Sequence, residues 1–372
     1  MSRLVNGVKS FSSTASSLLA DATAASQTAR QPSSFQVFRD VPSIRGLRRQ
    51  LLKKDRTVGF VPTMGALHEG HLSLIRQAAR ENTDIFVSIY VNPTQFGVTE
   101  DLSSYPRTWD TDVEKLEKLN EELERLGENS ASAGRITAIF APTSKVIYPG
   151  LPPSSEVDGH GSFVTITPLS TKLEGGSRPV FFRGVATVCM KLFNITTPDR
   201  VYFGQKDVQQ TVVIKRMVED FHVGTEVRIV ETTRESDGLA LSSRNVYLGD
   251  RRRSIGLTVY KSLKAAEDAY LAGKTSRADI LGAANSVADS VLSQQQGLSP
   301  SERALYEVDY ISLADPDTLD ELDIVDPAKG AVLSTAFKMA PLEESRPDED
   351  CGLGDGKVPV RLIDNLILHP RA

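Results

Sequence analysis

The sequence predicts an α/β fold: a parallel-sheet domain over residues 35–232 and a smaller α+β domain over 233–372. Three observations carry this reading. Short, apolar, β-rich runs alternate with helical patterns at 57–91 and again at 185–230. The strand at 84–91 is apolar almost throughout, as expected of a strand covered on both faces. Beyond about residue 233 the order changes to long helices followed by short strands. The composition permits two such cores: 40% of the 372 residues are hydrophobic and 24% are charged.

Taken in order, residues 1–34 are rich in Ser, Ala and Thr, with Arg3, Lys9 and Arg30 the only bases and Asp21 the only acid. They read as a disordered extension, or alternatively as a transit peptide, which shares this low acidity. Thr57-Val-Gly-Phe-Val61 is the first strand. A loop, Thr63-Met-Gly-Ala-Leu-His-Glu-Gly70, leads into a helix with Leu74, Ile75, Ala78 and Ala79 on one face. Asp84–Val91 closes a βαβ unit of about 35 residues. In the second unit Val185–Ile195 is helical, Arg200–Phe203 a strand, Gly204–Asp207 a turn, Val208–Asp220 a helix and Thr225–Val230 a strand. Asp250–Ala272 reads as one long amphipathic helix capped by Asp250 and stopped by Gly273, with a further helix near 276–295. Strands are expected at 305–313, 331–337 and 360–363. Two stretches look inserted: the polar segment 121–134, and 341–357, which reads as a solvated acidic loop with Glu343, Glu344, Asp348, Glu349 and Asp350.

Composition narrows the function. A net charge of −5 disfavours a protein that tracks phosphates along nucleic acid. No stretch approaches the roughly 18 apolar residues of a membrane span. The two cysteines, Cys189 and Cys351, have no metal or redox spacing, and the sparse usage fits a reducing compartment.

Four clusters carry chemistry. In Pro62-Thr-Met-Gly-Ala-Leu-His68-Glu-Gly-His71 two histidines sit between a buried strand and a helix N-terminus. Gly65 and Gly70 let backbone approach a ligand, and free N–H groups at a helix start suit phosphate. A metal site would need further ligands at suitable spacing, and none is present. The pattern points to handling of a nucleoside triphosphate. Asp237-Gly-Leu-Ala-Leu-Ser242-Ser243-Arg244-Asn245 is a polar loop able to hold phosphate oxygens, or ordinary loop composition. Gly204-Gln-Lys206-Asp207 pairs a base for phosphate with an acid for ribose, or is simply a helix start. In Tyr90-Val-Asn92-Pro-Thr-Gln95-Phe96 uncharged amides follow a buried strand and could bond a small substrate, or form a turn around Pro93.

Together these clusters resemble the HIGH-type nucleotidyltransferases, His68-Glu-Gly-His71 matching the first signature and Leu241-Ser-Ser-Arg244 the mobile phosphate loop. Within that superfamily the sequence is similar to the pantothenate synthetase (pantoate–β-alanine ligase) family. The matching motifs lie at 62–71, 91–96, 100–108, 173–179, 182–185, 237–245 and 361–365, and the resemblance covers roughly 35–372. It implies a Rossmann-like N-terminal domain with a smaller lid domain, ATP and Mg²⁺ as cofactors, and pantoate and β-alanine as substrates. It also implies a place in pantothenate and coenzyme A synthesis, a homodimer and a cytoplasmic location, with a mitochondrial one as the alternative raised by the extension.

Carried over by position, Met64, Gly65, Ala66, Leu67, His68, Glu69, Gly70 and His71 would line the ATP site. His71 would donate a proton or stabilise charge at the transferring phosphate, with His68 beside it. Gly204, Gln205, Lys206 and Asp207 would bind ATP, Lys206 through phosphate and Asp207 through ribose. Thr233, Leu241, Ser242, Ser243 and Arg244 would close over the nucleotide. Gln95 and Gln210 would hold pantoate, and Asn92 would contact β-alanine. No protein side chain is expected to ligate a metal as a built site; Mg²⁺ would ride on the phosphates, with Asp112 a candidate contact. Two positions depart from the family pattern: Phe181 where histidine is common, removing a polar contact, and Gln205 where glutamate is common, dropping a charge. The alternative enzyme is an adenylyltransferase of the same superfamily acting on a mononucleotide. A class I tRNA synthetase is disfavoured by the short, acidic chain, and a catalytically dead nucleotide binder by the presence of His68, His71, Lys206 and Arg244.

Overall fold

Adjacent residues on the strands of the larger sheet belong to two different cores. Val58 and Phe60 pack with Phe86, Ala138 and Phe140 on one face. Val61 packs with Ile85, Val87, Ile136 and Ile139 on the other. Such alternation, apolar on both sides, is what a sheet between two helical layers requires. A computed structural model describes residues 34–97, 102, 105–128, 134–150 and 153–371. The predicted extension, apart from Ser34, lies outside them, as do parts of the 100–108 motif and of 121–134.

In chain order the elements are β1 (Gln36–Phe38), α1 (Val41–Leu52), β2 (Val58–Thr63), α2 (Glu69–Glu81), β3 (Asp84–Ile89), α3 (Trp109–Glu128) and β4 (Arg135–Phe140). Two single-turn helices, α4 (Ser144–Ile147) and α5 (Glu174–Ser177), precede α6 (Phe181–Thr196). Next come β5 (Arg200–Gly204), α7 (Val208–Asp220) and β6 (Glu226–Val230). The remainder is α8 (Gly249–Gly256), α9 (Thr258–Leu271), α10 (Arg277–Gln296), β7 (Tyr306–Ala314), β8 (Ala331–Met339) and β9 (Val360–Leu368).

The first sheet is parallel, in the order β1-β4-β3-β2-β5-β6. The core with Phe60 is completed by α1, α6 and α7, and the core with Val61 by α2 and α3. Leu74, Ile75, Ala78 and Ala79 are the buried stripe of α2, as their spacing predicts. The second sheet, β7-β8-β9, is antiparallel and packs against α9 and α10. The α/β class with a smaller α+β part is therefore present.

Several expectations are corrected. The helix expected over 250–272 is two helices, because the Leu257 amide turns back to the Ile255 carbonyl and interrupts the ladder. There Gly256 lies so close to β9 that a Cβ would stand 3.0 Å from Leu362. Asp250 does not cap α8; it lies in its first turn, and its amide donates to the Asp350 carbonyl (2.9 Å). The turn at 205–207 is a 3₁₀ turn running into α7. Residues 121–128 are the end of α3, with Leu123 buried, not a separate polar segment. The acidic loop 341–357 is exposed along most of its length, yet the Glu349 side chain is buried against Arg251.

Packing of α6 decides the shape of the segment after β3. At Gly184 a Cβ would fall 2.3 Å from the Thr94 carbonyl oxygen and 2.6 Å from the Gln95 amide. Only glycine lets the helix backbone touch this segment. Gly184→Ala should therefore destabilise the protein by about 1–3 kcal/mol, read as a lower urea midpoint at unchanged slope; an unchanged midpoint would contradict this packing.

Candidate active site

In an open parallel sheet, ligands bind outside the carboxyl ends of the strands, where the strand order reverses. Here β2 has β3 on one side and β5 on the other, so the loops after β3, β2, β5 and β6 emerge side by side. All four clusters singled out in the sequence lie on these loops.

The loop after β2 is held by its neighbours. The Thr63 hydroxyl donates to the Ser88 carbonyl (2.7 Å) and accepts from the Gly65 amide (3.2 Å). Gly65 and Ala66 both have positive φ, 85° and 50°. That turn aims the Ala66 and Leu67 amides at one carboxylate, Asp112, at 2.9 and 2.8 Å. The Thr108 hydroxyl donates to the same carboxylate (3.0 Å), and Asp112 is 1% exposed. Lys115 donates to the Leu67 carbonyl. Asp112 thus spends its oxygens on the loop, which corrects its assignment as a magnesium contact. Leu67 is a core residue, and Glu69 turns outward to pair with Arg76.

His68 is the N-cap of α2, its Nδ1 accepting from the Gly70 amide (3.2 Å). Nδ1 of His71 accepts from the His68 amide (3.4 Å), and the rings lie 4.2 Å apart. With each Nδ1 accepting, the neutral imidazoles carry their proton on Nε2. Burial, reinforced by Lys206 and Lys115, lowers the His68 pKa to about 4. Burial, then the neighbouring His68, lowers that of His71 to about 3. At neutral pH the pair is uncharged and offers Nε2–H donors. The sequence left the charge of His71 open; this geometry favours a hydrogen-bond donor over an imidazolium acid.

On the loop after β3, Asn92 is buried and saturated. Its Nδ2 donates to Gln95 Oε1 (3.0 Å) and the Gly184 carbonyl (3.2 Å), and its Oδ1 accepts from the hydroxyls of Thr94 (3.0 Å) and Tyr148 (2.7 Å). Asn92 therefore orients Gln95: it borders the cavity with its side-chain amide already bonded within the protein. Gln210 faces the same cavity, whereas Gln209 is spent on the Glu174 amide and the carbonyls of Leu169 and Lys172. Phe181 borders the cavity with the Arg178 guanidinium 3.9 Å above its ring, a cation–π contact where the family often has histidine.

The turn after β5 is fixed from the second sheet. Asn365 on β9 donates to the carbonyls of Gln205 (2.9 Å) and Lys206 (2.8 Å), and Gln205 donates back to Asn365 (3.4 Å). This leaves Lys206 and Asp207, whose charged groups are 3.4 Å apart, bordering the cavity. Asp364 receives a two-pronged bond from Arg234 (2.6 and 2.9 Å), which anchors the hairpin at 234–240. Thr233 accepts the Leu241 amide (3.0 Å), and Ser242 Oγ accepts the Arg244 amide (3.2 Å) to start a 3₁₀ turn at Ser243–Tyr247.

These loops enclose a cavity of about 300 Å³, the size of a small-molecule site. It brings together Met64, His68, Gly70 and His71 with Asn92, Gln95 and Gln210. Gly204, Lys206 and Asp207 meet Thr233, Leu241, Ser242, Ser243 and Arg244 there as well. Gly65, Ala66, Leu67, Glu69 and Gln205 do not line it and serve the loops instead. Sequence reasoning gave no role to Tyr105, Arg178, Glu174 or Tyr310, which also line the cavity. Tyr105 reaches Ser243 through its hydroxyl. Arg178 donates to the Gln95 carbonyl (3.3 Å), and its place in a matched motif was the available signal.

A cleft at the reversal point of a parallel sheet, lined by neutral imidazoles, a lysine and an arginine, defines an α/β protein built for a small anionic ligand. Comparison with known proteins narrows this class. The family model described as pantoate-beta-alanine ligase matches residues 36–367. The chain is 40% identical to the pantoate–beta-alanine ligase of Saccharomyces cerevisiae, across 90% of this chain and 100% of that protein. It is 44% identical to a pantothenate synthetase of Roseiflexus castenholzii, across 84% and 92%. Among solved structures, a pantothenate synthetase from Thermus thermophilus matches with a TM-score of 0.68 at 33% identity, covering 90% of this chain and 100% of that one. A Francisella tularensis pantoate-beta-alanine ligase, crystallised with beta-gamma ATP and beta-alanine, matches with a TM-score of 0.61 at 29% identity, covering 90% and 98%. The chain belongs to the pantoate–β-alanine ligase family.

The histidine geometry is testable by ¹⁵N NMR. In the ligand-free protein both rings should stay neutral, protonated on Nε2, down to about pH 5. Because the folded forms bind protons less readily than the unfolded chain, acidification below about pH 6.5 should favour unfolding through this pair. Ordinary titration of both rings near pH 6.5 would contradict the arrangement.

Proposed function

We propose that this chain condenses pantoate with β-alanine at the expense of ATP, giving pantothenate, AMP and pyrophosphate. The observation that carries this reading is family membership over almost the whole described chain, with the family's motif loops meeting in one cavity. ATP and β-alanine are supported as ligands by the Francisella relative crystallised with both kinds of molecule.

The chemistry follows from the poor reactivity of a carboxylate toward amines. A pantoate carboxylate oxygen attacks the α-phosphorus of ATP, and the bond to the leaving pyrophosphate breaks. The β-alanine nitrogen then attacks the acyl carbon of pantoyl adenylate, the bond to AMP breaks, and the ammonium so formed gives up a proton. The first step adds charge to phosphoryl oxygens, so fixed donors aimed at them supply the catalysis. In this reading the Nε2–H groups of His71 and His68 donate to those oxygens, and Lys206 and Arg244 neutralise the triphosphate. Asp207 holds ribose, and Ser242 and Ser243 close over the phosphates. Gln95 and Gln210 orient pantoate from two sides, so that its carboxylate faces phosphorus. The segment 35–232 acts as the nucleotide- and pantoate-binding domain and 233–372 as its lid.

Mg²⁺ fits as an ion carried by the triphosphate. Asp112 is committed to backbone amides, and no cluster of three metal-ligating side chains occurs among the described residues. Phosphate oxygens and water would hold the ion, and its charge would ease departure of pyrophosphate. Assembly as a homodimer and residence in the cytoplasm accompany this reading as properties of the family. No helix among the described residues is long and apolar enough to cross a membrane.

The direct test is AMP release with each substrate omitted in turn. Release should require ATP, pantoate and β-alanine, and ATP–pyrophosphate exchange should require pantoate alone. Exchange driven by a mononucleotide would instead favour the adenylyltransferase. His71→Ala should lower turnover about 10²–10⁴-fold with the fold intact; near-normal turnover would refute its role. Asp112→Asn, which presents N–H to a backbone amide in place of an acceptor, should slow adenylate formation about 10–100-fold by shifting the histidine loop. Unchanged exchange would remove the loop from the mechanism.

A further inference from the structure

The acidic stretch 341–357 plays no part in the chemistry above, yet it is tied to the turn that carries Arg244. Glu349 and Arg251 form a two-pronged pair with side chains 8% and 7% exposed, one bond measuring 2.8 Å. The same guanidinium donates to the Glu344 carbonyl (3.1 Å). Arg252, fully buried, bridges the two segments by donating to carbonyls of Tyr247 and Leu248 and to those of Cys351 (3.3 Å) and Val358 (2.6 Å). The Leu353 amide donates to the Val246 carbonyl (2.8 Å), and the Asp250 amide to the Asp350 carbonyl.

Contact here is backbone on backbone. Gly249 and Gly352 both have positive φ, 62° and 75°, and face each other. A Cβ at Gly352 would lie 2.6 Å from the Gly249 nitrogen and from the Tyr247 carbonyl carbon. The turn Ser243–Tyr247 exposes Arg244 and Val246, and its own ties are few, chiefly Asn245 to the Ala240 carbonyl (3.0 Å) and Ser243 to the Tyr105 hydroxyl, so the grip on its far end adds to what sets its position. The grip is on Val246 and Tyr247, two and three residues beyond Arg244.

We infer that residues 341–357 form a strap that fixes the Ser243–Tyr247 turn, making Glu349, Arg251 and Gly352 positioning residues for the nucleotide step. The inference rests on the reading of Arg244 and its neighbours as phosphate ligands. The strap serves ATP, and the amine step proceeds without it once the adenylate exists.

The test compares full-length wild type with Glu349→Gln, Gly352→Ala and, as a control on the same loop, Glu343→Gln, whose exposed pair with Arg303 (2.6 Å) makes no contact with the turn. In the first two variants, amide hydrogen exchange of residues 242–248 without substrates should quicken about tenfold or more. KM for ATP in pyrophosphate exchange should rise about tenfold, while KM for pantoate and the rate from supplied pantoyl adenylate plus β-alanine stay within about twofold. The control should match wild type in every measurement. Unaltered exchange at 242–248, or equal loss for all three substrates, would overturn the strap. Removing one partner of a buried pair can unfold a protein, so Glu349→Asp, which keeps the charge, reads the same effect where Glu349→Gln does not fold. Failure of Glu349→Asp and Gly352→Ala alike to fold would make the segment part of the folding core and also overturn the proposal. Absence of any pantoate-dependent exchange in wild type would instead refute the ligase reading, with hydrogen exchange still deciding whether the strap holds the turn.

Discussion

The parallel pairing of β2 with both β3 and β5 is the constraint on which the site depends. Val58–Thr63 runs in register with Asp84–Ile89, and Gly59–Phe60 with Arg200–Val201. Strands that start level and run the same way end level, so their loops share one edge. A slip of one residue would exchange Phe60 and Val61 between the two cores and move the histidine loop away from Lys206. Gly59 helps fix the register. Its missing side chain leaves room for Asn82, which donates to the Tyr202 hydroxyl (2.7 Å) across the sheet. The crevice follows from this order, since helices cover both faces and only the edge is open.

A level edge does not by itself shape a loop. Loops carry amides and carbonyls that need partners, and close to a ligand cavity water is a poor guarantor of geometry. Each of these loops is tied to a buried polar side chain: Asp112 holds the histidine loop, Asn92 the turn of Gln95 within its own loop, Asn365 the lysine turn and Asp364 the hairpin through Arg234. A carboxylate accepting two backbone amides is a strong, charge-assisted anchor. Burial pushes the Asp364 carboxyl up in pKa while the Arg234 fork pulls it down, so this anchor works only as a pair. Asn92, Asp364 and Asn365 sit inside the matched motifs, and the first two border the cavity with side chains already bonded within the protein.

That division marks what the sequence could reveal. Strands β2 and β3, helix α2 and the paired strand–helix unit β5–α7 were legible because period and turn residues are local. That the histidines, Lys206, Gln95 and Arg244 share one cavity was legible because motifs record them in order. Helix α1 went unread despite the Asp40 N-cap and Pro42, since five of its twelve residues are Arg, Gln or Ser and these dilute its apolar stripe. The break between α8 and α9 left no mark, as the apolar period runs through Leu257. The structural partners of Asp112 and Asn92 left no local mark, because those of the first lie 45 and 46 residues away and those of the second include Tyr148 and Gly184. Glu349 reads as solvated like its acidic neighbours for the same reason: Arg251 is 98 residues away from it. Local pattern ranks a side chain by its type, and only the fold supplies its partner.

Under the proposed ligase reading, the state of the two histidines ties these features to the chemistry. A site for a triphosphate could recruit permanent cations throughout, but a cluster of buried charges would repel itself before the ligand arrived. Here Lys206 and Lys115 supply charge, and their proximity helps keep the buried His68 ring neutral. A neutral imidazole with Nδ1 held by a backbone amide is already aimed, so little reorganisation is needed when a phosphate oxygen meets Nε2–H. Its aim is inherited from the helix cap, the cap from the loop, and the loop from Asp112. Charge building up on the phosphoryl group would strengthen those bonds most at the moment of transfer, which is the differential a catalyst requires.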